Sequence, residues 1–283
     1  MQRLLKCLGV LIVAMMGPSM AQPATPGVQC PDGRASDGIE RAGNAQHCVV
    51  IRKFEPATTG SLSKVLIVFV EDDTQGRVVL PPNHLTAFNL SQQLKTTTVA
   101  VLPAVNRGEI RNFLTAQDDA HTPRSVRILA TALERLRTLN PEKKILLIGH
   151  SGGAAGVALI AGRFPSSADA YLLVACPCDQ SQRNFSLLPT AGKKDRSAHS
   201  LSAQDEVDNI RAGTRIALLI GSRDDVTQAK ISEAYAASLQ RQGIKTRVTY
   251  AVGATHISVL RSPEFFMLAR QLSEDLSSTK WLN

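Results

Sequence analysis

Short apolar runs alternate with stretches of helical periodicity along most of this chain. Cys48–Ile51, Val65–Val70, Thr98–Leu102, Ile145–Ile148, Tyr171–Val174, Thr214–Ile220 and Lys245–Val252 are brief, weighted toward β-branched and apolar residues, and bounded by polar or turn-forming ones. Val65–Val70 and Ile145–Ile148 are apolar at every position, which predicts central strands buried on both faces. Between the runs the period changes. Val126, Leu129, Ala130, Leu133 and Leu136 recur at helical spacing within Pro123–Leu139. Pro123 suits the first turn of that helix, and Asn140-Pro141 stops it. Helices are likewise predicted over Leu85–Leu94, Val226–Arg241 and Pro263–Leu276, with a shorter one near Asp205–Ile210. Strand alternating with helix is the pattern of the α/β class: a mostly parallel central sheet with helices on both faces.

One junction carries chemistry. Lys144-Ile145-Leu146-Leu147-Ile148 runs directly into Gly149-His150-Ser151-Gly152-Gly153, and a helix of small residues, Ala154 to Ala161, follows. Gly-x-Ser-x-Gly between a strand and a helix is the nucleophile-elbow pattern. A serine at so sharp a turn sits in a strained backbone conformation, and flanking glycines let strand and helix approach without clash. The hydroxyl then projects above the sheet. The next backbone N–H, that of Gly152, points to where an oxyanion would form. The competing assignment is a glycine-rich turn whose serine merely caps the helix.

The chain ends divide the rest. Arg3 and Lys6 precede an apolar stretch, Leu8–Met16, and Ser19-Met20-Ala21 supplies small residues where a signal peptidase reads. Residues 1–21 are therefore expected to be a signal peptide, 22–46 an extended arm and loop, and 47–283 one domain. The apolar stretch is too short to favour a stable span, so the mature form is expected to lie outside the membrane, in a periplasm or secreted. With 283 residues, 43% hydrophobic and 20% charged, the chain can bury a sizeable core. Its formal net charge of +8 falls to about +6 without Arg3 and Lys6. Lys and Arg are scattered and aromatics are only 4%, so nucleic acid is not an expected partner. Of five cysteines Cys7 leaves with the signal, and Cys30, Cys48, Cys176 and Cys178 remain. An even count in an exported chain predicts disulfides, with Cys30–Cys48 closing an N-terminal loop. Cys176-Pro177-Cys178 is left open between a tight local pair and free thiols. No histidine stands at zinc-ligand spacing from either pair.

From the elbow onward the chain resembles the α/β-hydrolase family, over roughly residues 47 to 278. That resemblance implies a triad in the order Ser, acid, His, each on the loop after a strand. It places the nucleophile at Ser151 and the general base at His256, in a Gly253-x-x-His256 setting. The acid is Asp224, three residues after Gly221, with Asp225 as the alternative. It also implies a second oxyanion donor just after the strand Val65–Val70, at the backbone N–H of Asp73. There the chain departs from the family, because Glu71-Asp72 stand where His-Gly is usual. Carboxylates beside a developing negative charge are unfavourable. Residues 176–211, polar and irregular, read as a small cap-like insertion. His150 is expected to pack, and His121 at most to line the pocket. Within the family the chain is most similar to exported dienelactone-hydrolase-like or serine-aminopeptidase-like members. The resemblance implies a serine hydrolase acting on an ester or related acyl bond of a small soluble substrate, with no cofactor and no metal. A non-catalytic binding protein and a peptidase of the same fold are the alternatives, and nothing in the sequence fixes the oligomeric state.

Overall fold

Val65, Ile67 and Phe69 fall on one face of their strand and Leu66, Val68 and Val70 on the other, because successive strand side chains point to opposite sides. All six are at most 1% exposed. Both faces of that strand are therefore covered, and the two sets open onto two different cores. The computed structural model describes residues 39–44, 47–58, 60–71, 82–101, 121–179 and 200–278. In chain order its elements are β1 (Ile39–Gly43), β2 (Cys48–Phe54), β3 (Val65–Glu71), α1 (Pro82–Leu94), β4 (Thr98–Val101), α2 (Pro123–Leu139), β5 (Lys144–His150), α3 (Gly152–Arg163), β6 (Ala170–Val174), β7 (Arg215–Gly221), α4 (Ala229–Arg241), β8 (Lys245–Ala251) and α5 (Pro263–Ser277). Short 3-10 segments, Ala203–Asn209 and Ser258–Arg261, connect some of them.

The described strands form one eight-stranded sheet in the order β1-β2-β4-β3-β5-β6-β7-β8. β1 pairs antiparallel with β2, and β2 antiparallel with β4. From β4 to β8 every pairing is parallel. One core lies beneath α2, α3 and α4. It joins Leu66, Val68, Ile145, Leu147 and Leu173 to Leu129, Leu133, Val157, Ile160, Tyr235 and Leu239. The other lies beneath α1 and α5 and joins Ile67, Phe69, Leu146, Ile148 and Leu172 to Leu90, Leu94, Phe265 and Leu268. Each fully buried Leu, Ile or Phe contributes about 1.5–3 kcal/mol, so the central strands anchor the fold. The chain leaves β3 toward β4 on one side, whereas β5 and its successors build out on the other. Crevices at the carboxyl ends of strands open at such a reversal, and Ser151 follows the strand beside it.

Among the described residues, two helix starts are capped by a side-chain hydroxyl. Thr122 accepts the Ser125 N–H at the start of α2, and Ser262 accepts the Phe265 N–H at the start of α5, each followed by a proline. At the foot of β5, Asp169 accepts the Ile145 N–H at 2.8 Å and an Arg137 N–H at 3.0 Å. The elbow strand is thus tied at the end opposite its serine.

Several boundaries differ from expectation. β1 lies within the stretch read as arm and loop. Its sequence, Ile-Glu-Arg-Ala-Gly, carries little strand signal, and it forms because β2 supplies a full ladder and Ala42 is buried. α4 begins at Ala229 rather than Val226, because Gln228 is extended, with φ −62° and ψ 132°, and stands at the cap position. The 3-10 segment Ala203–Asn209, assigned to the cap-like insertion, packs on α3. Its Ala203 and Val207 enter the main core and Glu206 pairs with Arg163 at 2.8 Å. A Cβ at Gly162 would stand 2.7 Å from the Glu206 carbonyl oxygen, so only glycine admits this approach. The expected signal peptide, Cys30, and residues 180–199 of the insertion lie outside the described residues, as does the side chain of Cys48. Cys176 and Cys178 are joined by a disulfide, both fully buried just after β6.

Candidate active site

Ser151 has φ +54° and ψ −128°, a left-side backbone conformation for a residue with a side chain. Such a conformation costs on the order of 1–3 kcal/mol and persists only where surroundings over-determine it. Here they do. Ser151 N–H donates to the Val174 carbonyl at 3.0 Å, and the Ser151 carbonyl accepts from Ala154 at 2.9 Å. A Cβ at Gly149 would lie 2.5 Å from the Gly153 oxygen and 2.6 Å from Ala154 Cα, so strand and helix meet at a distance only glycine permits. Ser151 occupies the cap position of α3, yet its side chain makes no cap hydrogen bond. The hydroxyl is directed elsewhere.

Its partner is His256. Ser151 Oγ lies 3.0 Å from His256 Nε2, across 105 residues of sequence. His256 Nδ1 lies 2.9 Å from Asp224 Oδ2 and 3.1 Å from Oδ1. A carboxylate only accepts, so Nδ1 carries the hydrogen, and Nε2 is left to accept from the serine hydroxyl. The Asp224 side chain is 1% exposed and that of His256 11%. Burial by itself works to raise the Asp224 pKa. The hydrogen bond from His256 and the backbone N–H groups of Thr227 and Val226 outweigh it and hold the carboxyl below its ordinary value. Asp225, the alternative acid, is exposed.

The acid and base loops are stitched together. Gly221 closes β7 where a Cβ would lie 2.7 Å from the Ala254 oxygen. Arg223 N–H donates to the Ala254 carbonyl at 2.8 Å, and Gly253 N–H to Ser222 Oγ at 2.8 Å. Gly253 sits at φ +76°, the turn that brings the chain back toward His256.

Gly152 is the first residue of α3, where helix N–H groups have no intrahelical partner. Its N–H stands beside Ser151, at the positive end of the helix dipole. Asp73 lies outside the described residues. Glu71 is the last residue of β3, with its backbone in register with His150. His150 packs as expected, and it and His121 each make a buried bond that the sequence did not show. His121, 1% exposed, has Nε2 2.9 Å from the Gly152 carbonyl oxygen, and His150, 2% exposed, has Nε2 2.8 Å from the His256 carbonyl oxygen. Nothing in spacing or periodicity points to either bond, since 31 and 106 residues separate the partners. Among the described residues no group of three or more His, Cys, Asp or Glu could hold a metal ion.

A mostly parallel sheet in this strand order, with a strained serine after β5, an acid after β7 and a histidine after β8, defines the α/β-hydrolase fold. No protein-family model matches the chain, and a search of curated proteins by sequence finds no match. Solved structures share the fold. The esterase domain of a Rhodothermus marinus protein is 16% identical and aligns over 84% of this chain and 97% of that one, with a TM-score of 0.57. Proline iminopeptidase of Mycobacterium smegmatis is 12% identical over 84% of this chain and 98% of that one, with a TM-score of 0.61. For the uncomplexed acylaminoacyl peptidase of Pyrococcus horikoshii the values are 12%, 86% and 42%, with a TM-score of 0.63, so the chain spans less than half of that peptidase.

Proposed function

We propose that the protein is a serine hydrolase that cleaves a carboxylic ester or related acyl bond of a small soluble substrate. The observation that carries this reading is the unbroken series Ser151 Oγ, His256, Asp224, with links of 3.0 and 2.9 Å, built on a strained serine. In this reading His256 Nε2 takes the hydroxyl proton as Ser151 Oγ attacks the acyl carbon. Asp224 keeps Nδ1 protonated and stabilises the imidazolium that results. The Gly152 N–H, with a second donor expected at Asp73, holds the oxyanion. Collapse expels the alcohol, which takes the proton from His256. Water, activated by the same histidine, then releases the acid and restores Ser151. The esterases among the similar structures support an ester substrate. The Leu8–Met16 stretch and Ser19-Met20-Ala21 support export to a periplasm or the exterior.

The test is labelling of the mature protein with a fluorophosphonate probe, mapped by mass spectrometry, with Ser151→Ala as control. Labelling at Ser151 alone, lost in the control, is expected. Absence of label under conditions where a known serine hydrolase reacts would favour a binding protein that keeps the fold. The peptidases among the similar structures favour one second reading, hydrolysis of an amide by the same groups. Comparing kcat/KM on p-nitrophenyl esters and aminoacyl p-nitroanilides separates the two. Short acyl esters are expected to be preferred.

A further inference from the structure

His150 is the variable residue of the elbow and the last residue of β5. Leu146 and Ile148 precede it on the same strand face, and both belong to the core beneath α1 and α5. That core extends under the base loop, where it takes in Ala254, Val259 and Leu260. His150 therefore comes up beneath His256 rather than beside Ser151. The two rings lie 4.9 Å apart at a tilt of 45°. A carbonyl oxygen only accepts, so the 2.8 Å contact to the His256 carbonyl fixes a hydrogen on His150 Nε2.

This bond acts on the backbone of a residue carried by a loop rather than by a strand or a helix. Ser151 is held between a central strand and a helix, and Asp224 by two backbone N–H groups. His256 instead rides on a turn that pivots at Gly253 and whose residues Thr255, Ile257 and Ser258 are exposed. Its ring bonds to Asp224 and Ser151 orient the imidazole but leave the backbone that carries it to the loop. We propose that His150 is a positioning residue. Its Nε2–H holds the His256 backbone, and so keeps His256 Nε2 within hydrogen-bond reach of Ser151. Adjacent residues at the junction of β5 and α3 thus supply the nucleophile and register the base to it. The proposal rests on the serine-hydrolase reading above. Misplacing a catalytic group by about 1 Å costs on the order of a hundredfold in rate, so a backbone anchor here has leverage that an ordinary buried hydrogen bond lacks.

The experiment compares His150→Gln, whose amide nitrogen reaches the position of Nε2 and can donate, with His150→Met, of similar length and unable to donate. Circular dichroism and thermal unfolding establish that each folds. Should His150→Met fail to fold, His150→Asn, too short to reach the carbonyl, takes its place. Two readouts are taken: the rate of fluorophosphonate labelling at Ser151, and the low-field proton resonance of His256 Nδ1–H. The expected result is labelling roughly 10–100-fold slower in His150→Met, with recovery to within about threefold of wild type in His150→Gln. The resonance is expected to broaden in His150→Met and to return in His150→Gln. Equal labelling rates for wild type and His150→Met would overturn the positioning role while leaving the hydrolase reading intact. A wild-type protein that does not label would overturn the hydrolase reading. The positioning role would then stand or fall on the resonance: unchanged in His150→Met, it is overturned, and broadened, it is upheld.

Discussion

The two halves of the site are held by different physics. At the elbow, Gly149, Ser151, Gly153 and Ala154 lie within one short stretch, and the constraint is steric: backbone meets backbone at 2.5–2.6 Å from any added Cβ. The serine is strained and cannot relax. On the acid–base side, Asp224 and His256 come from loops after different strands, 32 residues apart, and the constraint is a set of hydrogen bonds. Gly221 against Ala254 is the one place there where a steric rule like that of the elbow applies. A nucleophile needs a fixed direction, which local packing supplies. A base must take up and give back a proton, and hydrogen bonds can follow that change of charge.

The largest expected effect comes from breaking the acid–base half electrostatically. Asp224→Asn keeps the shape but lets the amide favour the wrong histidine tautomer. By analogy with such substitutions in serine proteases, kcat/KM on p-nitrophenyl acetate should fall about 10⁴-fold, while Ser151 keeps its conformation. The same variant tests a pH effect. The folded-state pKa of Asp224 is lowered, so the unfolded chain takes up the proton first as pH falls. Its contribution to stability is therefore full above the ordinary carboxylate pKa of about 4 and is lost as pH drops through the lower folded value. Acid unfolding followed by circular dichroism should show a shallower stability loss below pH ~4 in Asp224→Asn than in wild type. An identical slope would mean that other carboxylates dominate.

Next come the two glycines, which set the halves against each other directly. Gly149→Ala should cost about 3 kcal/mol or more, because every atom it meets is backbone and none can swing aside. Gly221→Ala should cost less, about 1–3 kcal/mol, because the loop carrying Ala254 can shift. The shift would move His256, so the smaller loss of stability should accompany a clear loss of turnover. Thermal unfolding and ester hydrolysis measured on both variants check the ordering. Equal stability losses would mean that the base loop is as rigid as the elbow.

The smallest effect should come from Ser222→Ala. It removes one exposed link between the loops, the acceptor for Gly253 N–H. A loss of about 0.5–1.5 kcal/mol and only a few-fold in turnover is expected. A loss approaching that of Gly221→Ala would mean that the hydrogen-bond stitching is cooperative.

Much of the sheet was legible because its central strands are buried on both faces. Residues such as those of Val65–Val70 must be apolar without interruption, and that leaves a signal in one dimension. β1 left none. Its residues are mixed, and the strand exists because β2 lies beside it and α2 covers Ala42. The start of α4 was misplaced for a related reason. Gln228 is extended just before Ala229, and helical periodicity does not record the backbone conformation of a cap residue.

The sequence by itself determined the elbow, because a sharp strand-to-helix turn needs small neighbours within a few residues of the serine, and Gly149-x-Ser151-x-Gly153 states that requirement locally. It also narrowed the acid to two adjacent residues. Only the tertiary structure sets the two apart, with the Asp224 side chain buried against His256 and Asp225 exposed. The bonds of His121 and His150 were likewise decided in three dimensions. Each is a side chain bonded to the backbone of a distant residue, and a carbonyl group is the same whatever residue bears it. Such a bond leaves no mark on the identity of its acceptor, so sequence reveals the donor as a buried histidine at most, and the fold alone reveals what it holds.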